Sequence, residues 1–213
     1  MPKRNAEKEK KPTRRALQAA ETKKKLLKAA FSLFAEHGYD NVTVEDITTR
    51  AGVSKGTFYS HFETKEGVLA EHFRQVEELY VQTYEKMPKK YSAGEKVARL
   101  VDTVCKFCEK ECGVEFMRVI YSNHLLHHEH ELNIMSRPDR KSIPILHEIA
   151  EEGKRKGEIP KSIDNDVFAR EVSHLAHGII YDWIMENGGF DLRKESRKII
   201  LQLATFAAAY HES

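Results

Sequence analysis

Apolar residues recur at intervals of three and four along almost the whole chain, and this spacing constrains the fold more than any other feature. Leu27, Ala30, Phe31 and Phe34, for example, fall on one face of a helix. No segment alternates with the two-residue period of a strand, and no internal repeat is present. The pattern predicts an all-α fold of about nine helices.

Capping residues and glycines divide this pattern into separate helices. Gly38 marks the end of the first helix, and Thr43 with Asp46 resembles a capping box that begins a short second helix over 44–51, which stops at Gly52. Further helices are predicted over 55–62, from 64 to about 86, and over 93–112, 114–128, 138–156, 166–187 and 192–210.

Composition excludes several classes of protein. The chain has 213 residues, of which 40% are hydrophobic, so it can fill a globular core. No apolar run approaches the ~20 residues that cross a bilayer, so membrane insertion is not expected. Three cysteines, an odd number, argue against a disulfide scaffold and favour a cytoplasmic location.

Charge is distributed unevenly along the chain. Residues 1–65 carry a net charge of +6, whereas residues 66–213 carry −4. Residues 1–15 are basic and nearly free of apolar side chains, which predicts a flexible basic arm. The asymmetry indicates that one end meets a polyanion, although a basic leader that only solvates the terminus would give the same pattern.

Two short helices joined through Ala51, Gly52 and Val53 match a helix-turn-helix unit. Val53, Phe58 and Phe62 are expected to face inward and to fix the second helix of the unit on the first. The opposite face is then polar and without acidic residues, which suits the major groove of DNA.

The outward residues offer groups that recognise DNA. Gly56 would let the backbone approach closely, and Thr57 offers a hydroxyl and a methyl group to base edges. Tyr59 and His61 can reach phosphate oxygens, and Lys65 adds a cation at the start of the next helix. The predicted DNA-binding surface also includes Thr43, Ser54 and Lys55, although helix capping alone would explain Thr43, Ser54 and Thr64.

The segment from Lys25 to Leu69 reads KLLKAAFSLFAEHGYDNVTVEDITTRAGVSKGTFYSHFETKEGVL. It resembles the DNA-binding domain of the TetR family of bacterial transcriptional regulators, whose pattern AA-x-x-LF-x-x-x-GY-x-x-x-TV-x-x-I-x-x-x-AGVSKGT-[FL]-Y-x-HF-x-x-KE it matches nearly throughout. The resemblance implies a DNA-binding domain over 16–66, with the helix-turn-helix at about 43–62, and an effector-binding and dimerisation domain over 67–213. It also implies operator contacts from Thr43, Lys55, Thr57, Tyr59, His61 and Lys65.

The same resemblance implies a homodimer built mainly from the last two helices. We therefore expect interface residues among the apolar side chains there, namely Ile180, Trp183, Leu203 and Phe206, although an internal core would use similar residues. The middle helices would enclose an effector pocket in which Tyr121, His124 and His147 orient a small apolar or amphipathic molecule. No cofactor is expected.

Cys105, Cys108 and Cys112 follow the spacing C-x2-C-x3-C, and four histidines at 124, 127, 128 and 130 lie nearby. Thiolates and imidazoles suit zinc. On an intact helix, however, Cys105 and Cys112 are ~10.5 Å apart along the axis, too far to share one ion. The cysteines would equally continue the apolar stripe as small core residues, and a metal, redox or electrophile sensor remains an alternative.

The sequence therefore predicts a DNA-binding transcriptional regulator, a repressor released from its operator by a small-molecule effector. An effector-independent architectural DNA-binding protein is one alternative, and a metal or redox sensor that uses the three cysteines is another. An enzyme is not expected, because the chain contains no glycine-rich phosphate loop, nucleophile elbow or HExxH motif.

Overall fold

The computed structural model describes residues 13–126 and 140–200, and helices are the regular elements of both ranges. The helices are α1 (Arg14–His37), α2 (Val44–Ala51), α3 (Lys55–Tyr59), α4 (Lys65–Glu85), α5 (Ala93–Phe107), α6 (Val114–Leu126), α7 (Ser142–Lys156), α8 (Asn165–Met185) and α9 (192–200, the last described residues). A π-helical turn, Cys108–Cys112, follows α5 directly. The all-α prediction is confirmed, and no helix within the described ranges is long and apolar enough to cross a membrane.

The chain divides into two compact units, the first ending at Lys65 and the second beginning at Glu66. In the first unit, α1, α2 and α3 bury a small core whose largest fully buried members are Leu26, Phe34, Ile47 and Phe58, each at most 1% exposed. Burial of these side chains supplies most of the stability of such short helices, because isolated helices of this length are marginal in water. Leu27, predicted to face the core, is only half-buried.

A charged contact joins α1 to α2 on the surface of the first unit. The Arg50 guanidinium donates two hydrogen bonds to the carboxylate of Glu36, both 2.9 Å long, and the Ser32 hydroxyl donates a third of 2.7 Å. These bonds lower the pKa of Glu36 to about 2. The carboxylate therefore stays charged, and the contact stays intact, at any pH above the ordinary carboxyl range.

In the second unit, α5, α7 and α8 form the main core. Leu100, Leu146, Ile149 and Ala169 are at most 1% exposed and lie on the inward faces of these helices. Two charged residues of α5 are also buried. Lys96 pairs with Glu152 of α7 and thereby ties the two helices together.

The second buried charge, Asp102, is hydrogen-bonded by two arginines of α9. Arg193 donates Nε and Nη2 to the two carboxylate oxygens at 3.0 Å each, and Arg197 donates Nη2 at 2.9 Å. Asp102 is 4% exposed. Burial alone would raise its pKa, but the hydrogen bonds from Arg193 and Arg197 outweigh burial and lower the pKa below the ordinary 3.8.

Several predicted helix ends differ from the structure. The first helix, α1, begins at Arg14, inside the predicted arm, because Thr13 caps it. In addition, α7 begins at Ser142 rather than at 138, and α8 ends at Met185 rather than at 187.

Two further differences arise from the hydrogen bonding of the last turn. The third helix ends at Tyr59 rather than Phe62, because its last turn tightens: the His61 N–H donates to the Phe58 carbonyl three residues back (2.9 Å). The predicted continuous helix over 93–112 instead widens, and the Gly113 N–H donates to the Cys108 carbonyl five residues back (2.9 Å).

Some predictions fall outside the described residues. They are the basic arm up to residue 12, the histidines at 127, 128 and 130, and the interface positions Leu203 and Phe206. They stay predictions.

We expect Asp102→Asn to lower the free energy of unfolding by about 1–3 kcal/mol at neutral pH, because the neutral amide cannot replace the charged bonds to Arg193 and Arg197. The folded-state pKa of Asp102 lies below its unfolded value, so its contribution is complete above about pH 4 and is lost as the pH falls further. The variant should therefore lose less stability on acidification than the parent.

Urea unfolding at neutral pH and at about pH 3 measures both effects. Asp182→Asn, an amide substitution at an exposed position of α8, is the matched control. Equal stability of Asp102→Asn and this control would contradict the role assigned to the buried carboxylate.

Candidate DNA-binding surface

The second helix begins with the reciprocal capping box that the sequence predicted. The Thr43 hydroxyl oxygen accepts from the Asp46 N–H (3.2 Å), while the Asp46 carboxylate accepts from the Thr43 N–H (2.9 Å). The Thr43 hydroxyl also donates to that carboxylate (2.6 Å), and these bonds lower the pKa of Asp46. Thr43 is exposed, so the predicted contact residue lies at the solvent-facing start of α2.

The turn between α2 and α3 depends on Gly52. Its φ of 68° and ψ of 37° are left-handed, a conformation that a residue with a Cβ adopts at a cost. The Val53 N–H then donates to the Thr48 carbonyl (3.0 Å), which closes the turn. Phe58 and Phe62 are buried as predicted, whereas Val53 is half-buried and contributes less to the core.

The third helix presents its polar residues on the side opposite Phe58. Ser54 caps the helix: its hydroxyl oxygen accepts from the Thr57 N–H (3.1 Å) and lies 2.9 Å from the Thr57 hydroxyl. Gly56 and Tyr59 are exposed, Tyr59 by 56%, and His61 is half-exposed. The structure thus brings the predicted residues of this helix onto one accessible surface, with Ser54 fixing the direction of the Thr57 hydroxyl.

Lys55 does not stand alone on this surface. Its Nζ lies 2.8 Å from Oε2 of Glu45, a residue of α2 that the sequence analysis did not include in the site. This hydrogen bond raises the pKa of Lys55. The surface facing away from the core is therefore less purely basic than the sequence of the third helix indicates. The signal that could have found Glu45 is its place two residues after Thr43, within the first turn of α2.

Lys65 is held by Tyr39, the residue that follows Gly38. Its Nζ donates to the Tyr39 carbonyl (2.9 Å) and lies 4.1 Å from the centre of the Tyr39 ring, a cation–π contact. The structure therefore gives Lys65 a role in fixing the loop before α2 to the start of α4. Its predicted phosphate contact stays a prediction.

Two of the three predicted effector residues, Tyr121 and His124, lie near His177 of α8, whereas His147 does not. On α6, the Tyr121 hydroxyl lies 3.5 Å from the His177 carbonyl of α8. His147 of α7 places Nε2 2.9 Å from Asp166, at the beginning of α8, without forming a hydrogen bond. Asp166 and His177 are eleven positions apart on the helix, a rise of ~16 Å. Tyr121 is thus placed beside His177, and His147 is placed well away from both.

Buried titratable groups surround Tyr121. Burial raises the pKa of Tyr121 and raises that of Tyr80 to about 12. Burial, together with the nearby cation of Arg140, lowers the pKa of His177 to about 4. At neutral pH, His177 is therefore an uncharged imidazole inside the second unit, able both to donate and to accept a hydrogen bond.

The three cysteines are free thiols on the inner side of α5 and the π-helical turn. Cys105 and Cys108 are at most 1% exposed and Cys112 is half-buried. Burial raises the pKa of all three thiols, that of Cys105 to about 11. The reactive thiolate form is therefore disfavoured at neutral pH. Over 13–126 and 140–200, no three His, Cys, Asp or Glu side chains are placed to hold a metal ion.

Two of the predicted interface residues lie inside the monomer. Ile180 and Trp183 of α8 are 3% and 4% exposed within a single chain, so their side chains cannot form an open dimerisation face. Ile180 and Trp183 are therefore not the open interface residues that the sequence predicted. Two faces of α8 carry apolar residues, and these two side chains lie on the face that packs on the core. The outward face instead exposes Tyr181 and Met185, by 45% and 66%.

Comparison with known proteins gives a consistent assignment. A family model described as bacterial regulatory proteins of the tetR family matches residues 26–72, which include the whole helix-turn-helix. The probable acrEF/envCD operon repressor of Escherichia coli K12 is 24% identical over 194 residues, covering 86% of this chain and 85% of the repressor. The fatty acid metabolism regulator protein of Bacillus subtilis is 25% identical over 177 residues, covering 82% and 90%.

The second unit also has structural relatives. The crystal structure of the transcriptional regulator FadR from Bacillus subtilis, in complex with stearoyl-CoA, superposes with a TM-score of 0.69 at 25% identity, covering 84% of this chain and 96% of FadR. These relatives are regulators of transcription and not enzymes. Residues 26–72 are therefore similar to the DNA-binding segment of the tetR family of bacterial regulatory proteins, and the comparisons together support a DNA-binding transcriptional regulator.

Proposed function

We propose that this regulator is a homodimeric repressor that occupies a pseudo-palindromic operator and leaves it when a small apolar or amphipathic effector binds. The accessible polar surface of α3, held outward by buried Phe58, is the observation that carries the proposal. The name of its relative from Escherichia coli, an operon repressor, supports repression as the output.

On the operator, α3 would lie in the major groove. Thr57 would present its methyl and hydroxyl groups to base edges, and Tyr59, His61 and Lys55 would contact phosphate oxygens. In a two-fold dimer the two recognition helices would read half-sites separated by about one turn, ~34–36 Å. Effector binding in the second unit would favour a spacing that no longer fits, so effector and operator would weaken each other equally.

We expect Thr57→Ala to cost about 1–3 kcal/mol of operator binding and to relax base preference, because a group on base edges is removed. Lys55→Gln should weaken all duplexes alike and lower the salt slope by about one per half-site. Fluorescence anisotropy with operator and scrambled duplexes at several salt concentrations distinguishes the two. Thr49→Ala, at an exposed position of α2 outside the surface, is the control. Unchanged binding by both site variants would show that this face is not the DNA-binding surface.

The proposed dimer face is the outward side of α8. His174, Gly178, Tyr181 and Met185 lie at spacings of four, three and four residues, and all are exposed in the single chain. Such a stripe suits helix-to-helix packing. Gly178 lets a partner helix approach closely, since among the described residues no atom outside the neighbouring backbone of α8 lies within 4 Å of its Cβ position. Leu203 and Phe206 remain proposed members of the interface.

Charges on this stripe should dissociate the dimer. Tyr181→Glu combined with Met185→Glu would place four like charges across a two-fold interface, and the variant should sediment as a monomer near 24.6 kDa. Operator binding should fall with it. Arg155→Glu, at an exposed position of α7, controls for charge alone. A double variant that stays dimeric would exclude this face of α8.

The proposed effector site lies around Tyr121 and His177, where neutral polar groups are surrounded by the core of the second unit. Pockets for apolar ligands use a few such groups to orient the molecule. Stearoyl-CoA in FadR and triclosan in SmeT, a fold relative with a TM-score of 0.64 at 21% identity, are apolar or amphipathic organic molecules. Both support an effector of that class over a metal or an oxidant.

We expect Tyr121→Phe to weaken release of operator by stearoyl-CoA about tenfold, the value of one lost hydrogen bond, while operator binding without ligand is unchanged. Replacing Cys105, Cys108 and Cys112 together by alanine should leave release intact apart from some loss of stability. A DNA-release assay on both variants makes the comparison. If the cysteine-free protein binds operator but is no longer released by the effector, the thiols and not the proposed pocket are the sensing groups.

A further inference from the structure

The contact between Glu45 and Lys55 joins an acid of α2 to the first residue of the recognition helix. Their Nζ and Oε2 atoms are 2.8 Å apart, and the side chains are 70% and 56% exposed. This acid therefore stands on the surface assigned to operator DNA, where a carboxylate opposes a polyanion.

The local fold does not depend on this carboxylate. Asp46, not Glu45, closes the capping box of α2. Glu36 holds Arg50 and so joins α1 to α2. Glu45 suits the helix dipole by its place in the first turn, but that effect needs no contact with Lys55. The contact with the recognition helix is the feature left without a structural explanation.

We propose that Glu45 is an internal competitor for the Lys55 ammonium: it holds this cation in the free protein, and a DNA phosphate must displace it. The inference rests on the proposed DNA-binding surface. An ion pair this exposed is weak and exchanges readily, so displacement is feasible while still reducing the gain from the new contact. Because phosphates are the same in every sequence, the competition lowers affinity for all duplexes by the same factor.

This competition has a consequence for the search among genomic sites. Contacts to phosphate supply most non-specific affinity, whereas base contacts set the ratio between operator and other sites. An acid that weakens one phosphate contact per half-site lowers both affinities alike and leaves the ratio of operator to non-specific affinity unchanged. The regulator would spend less time on non-specific DNA and would dissociate faster from every site.

The test is Glu45→Gln, which keeps the shape of the side chain and removes its charge. We expect affinity for operator and for scrambled duplex to rise together, by about two- to fivefold per half-site, the factor that corresponds to an exposed ion pair. The salt dependence should steepen by less than about one unit per half-site, because Lys55 neutralises one phosphate in both proteins and the variant loses only the cation that the displaced carboxylate attracts. Fluorescence anisotropy of the full-length protein at several salt concentrations measures both.

Two further variants show whether the effect passes through Lys55. In the Lys55→Gln background, Glu45→Gln should give a clearly smaller gain, because only the general repulsion between the carboxylate and DNA is then removed. Glu21→Gln makes the same change of charge on α1, where Glu21 lies 3.4 Å from Lys25, and its effect should be the same with or without Lys55. The coupling between positions 45 and 55 is read directly from this cycle.

The possible results distinguish competition for Lys55 from general charge repulsion and from a wrongly assigned DNA-binding surface. An equal gain with and without Lys55 would show general charge repulsion and overturn the proposal, as would a Glu45→Gln variant that changes the ranking of operator sequences. If Lys55→Gln weakens binding but Glu45→Gln does not strengthen it, the competition is absent although the surface is right. If Lys55→Gln binds every duplex like the parent, the proposed DNA-binding surface itself is wrong.

Discussion

The burial of Phe58 is the constraint on which the DNA-binding surface depends. The helix that carries it, Lys55–Tyr59, has only five residues and cannot be stable by itself. Its position is set by a fully buried ring on one side and by the Ser54 cap at its start. The polar residues on the other side need no contact with the protein to be presented, because Phe58 fixes the rotation of the helix about its axis.

The number of cations that this surface can offer to DNA depends on which lysines are already paired, more than on how many basic residues the segment contains. The first 65 residues have a net charge of +6, yet two of the cations predicted to meet DNA already have partners. Lys55 is held by Glu45, and Lys65 by the ring and carbonyl of Tyr39. A count of basic residues therefore overestimates how many are available to phosphates without an exchange of partners. The cost of that exchange enters affinity and salt dependence, and not the preference for one base over another.

The second unit shows the same dependence on tertiary contacts. Helical spacing placed Cys105, Cys108 and Cys112 on one stripe, and all three pack against the same core, but a π-helical turn carries the last two and Cys112 is only partly buried. Similarly, α8 is apolar on more than one face, and spacing alone could not distinguish the face that packs on the core from the face left open. Burial resolves this: Ile180 and Trp183 pack inside, and Tyr181 and Met185 lie outside.

The sequence by itself determined the features that depend on residues close in the chain. The all-α class, the capping box of Thr43 and Asp46, the left-handed turn at Gly52 and the inward position of Phe58 all follow from local spacing and backbone conformation. The tertiary structure decided what depends on distant residues. The pairing of Glu45 with Lys55, the hydrogen bonding of Asp102 to α9 and the choice of outward face on α8 join residues that helical periodicity cannot relate, because periodicity describes one helix at a time.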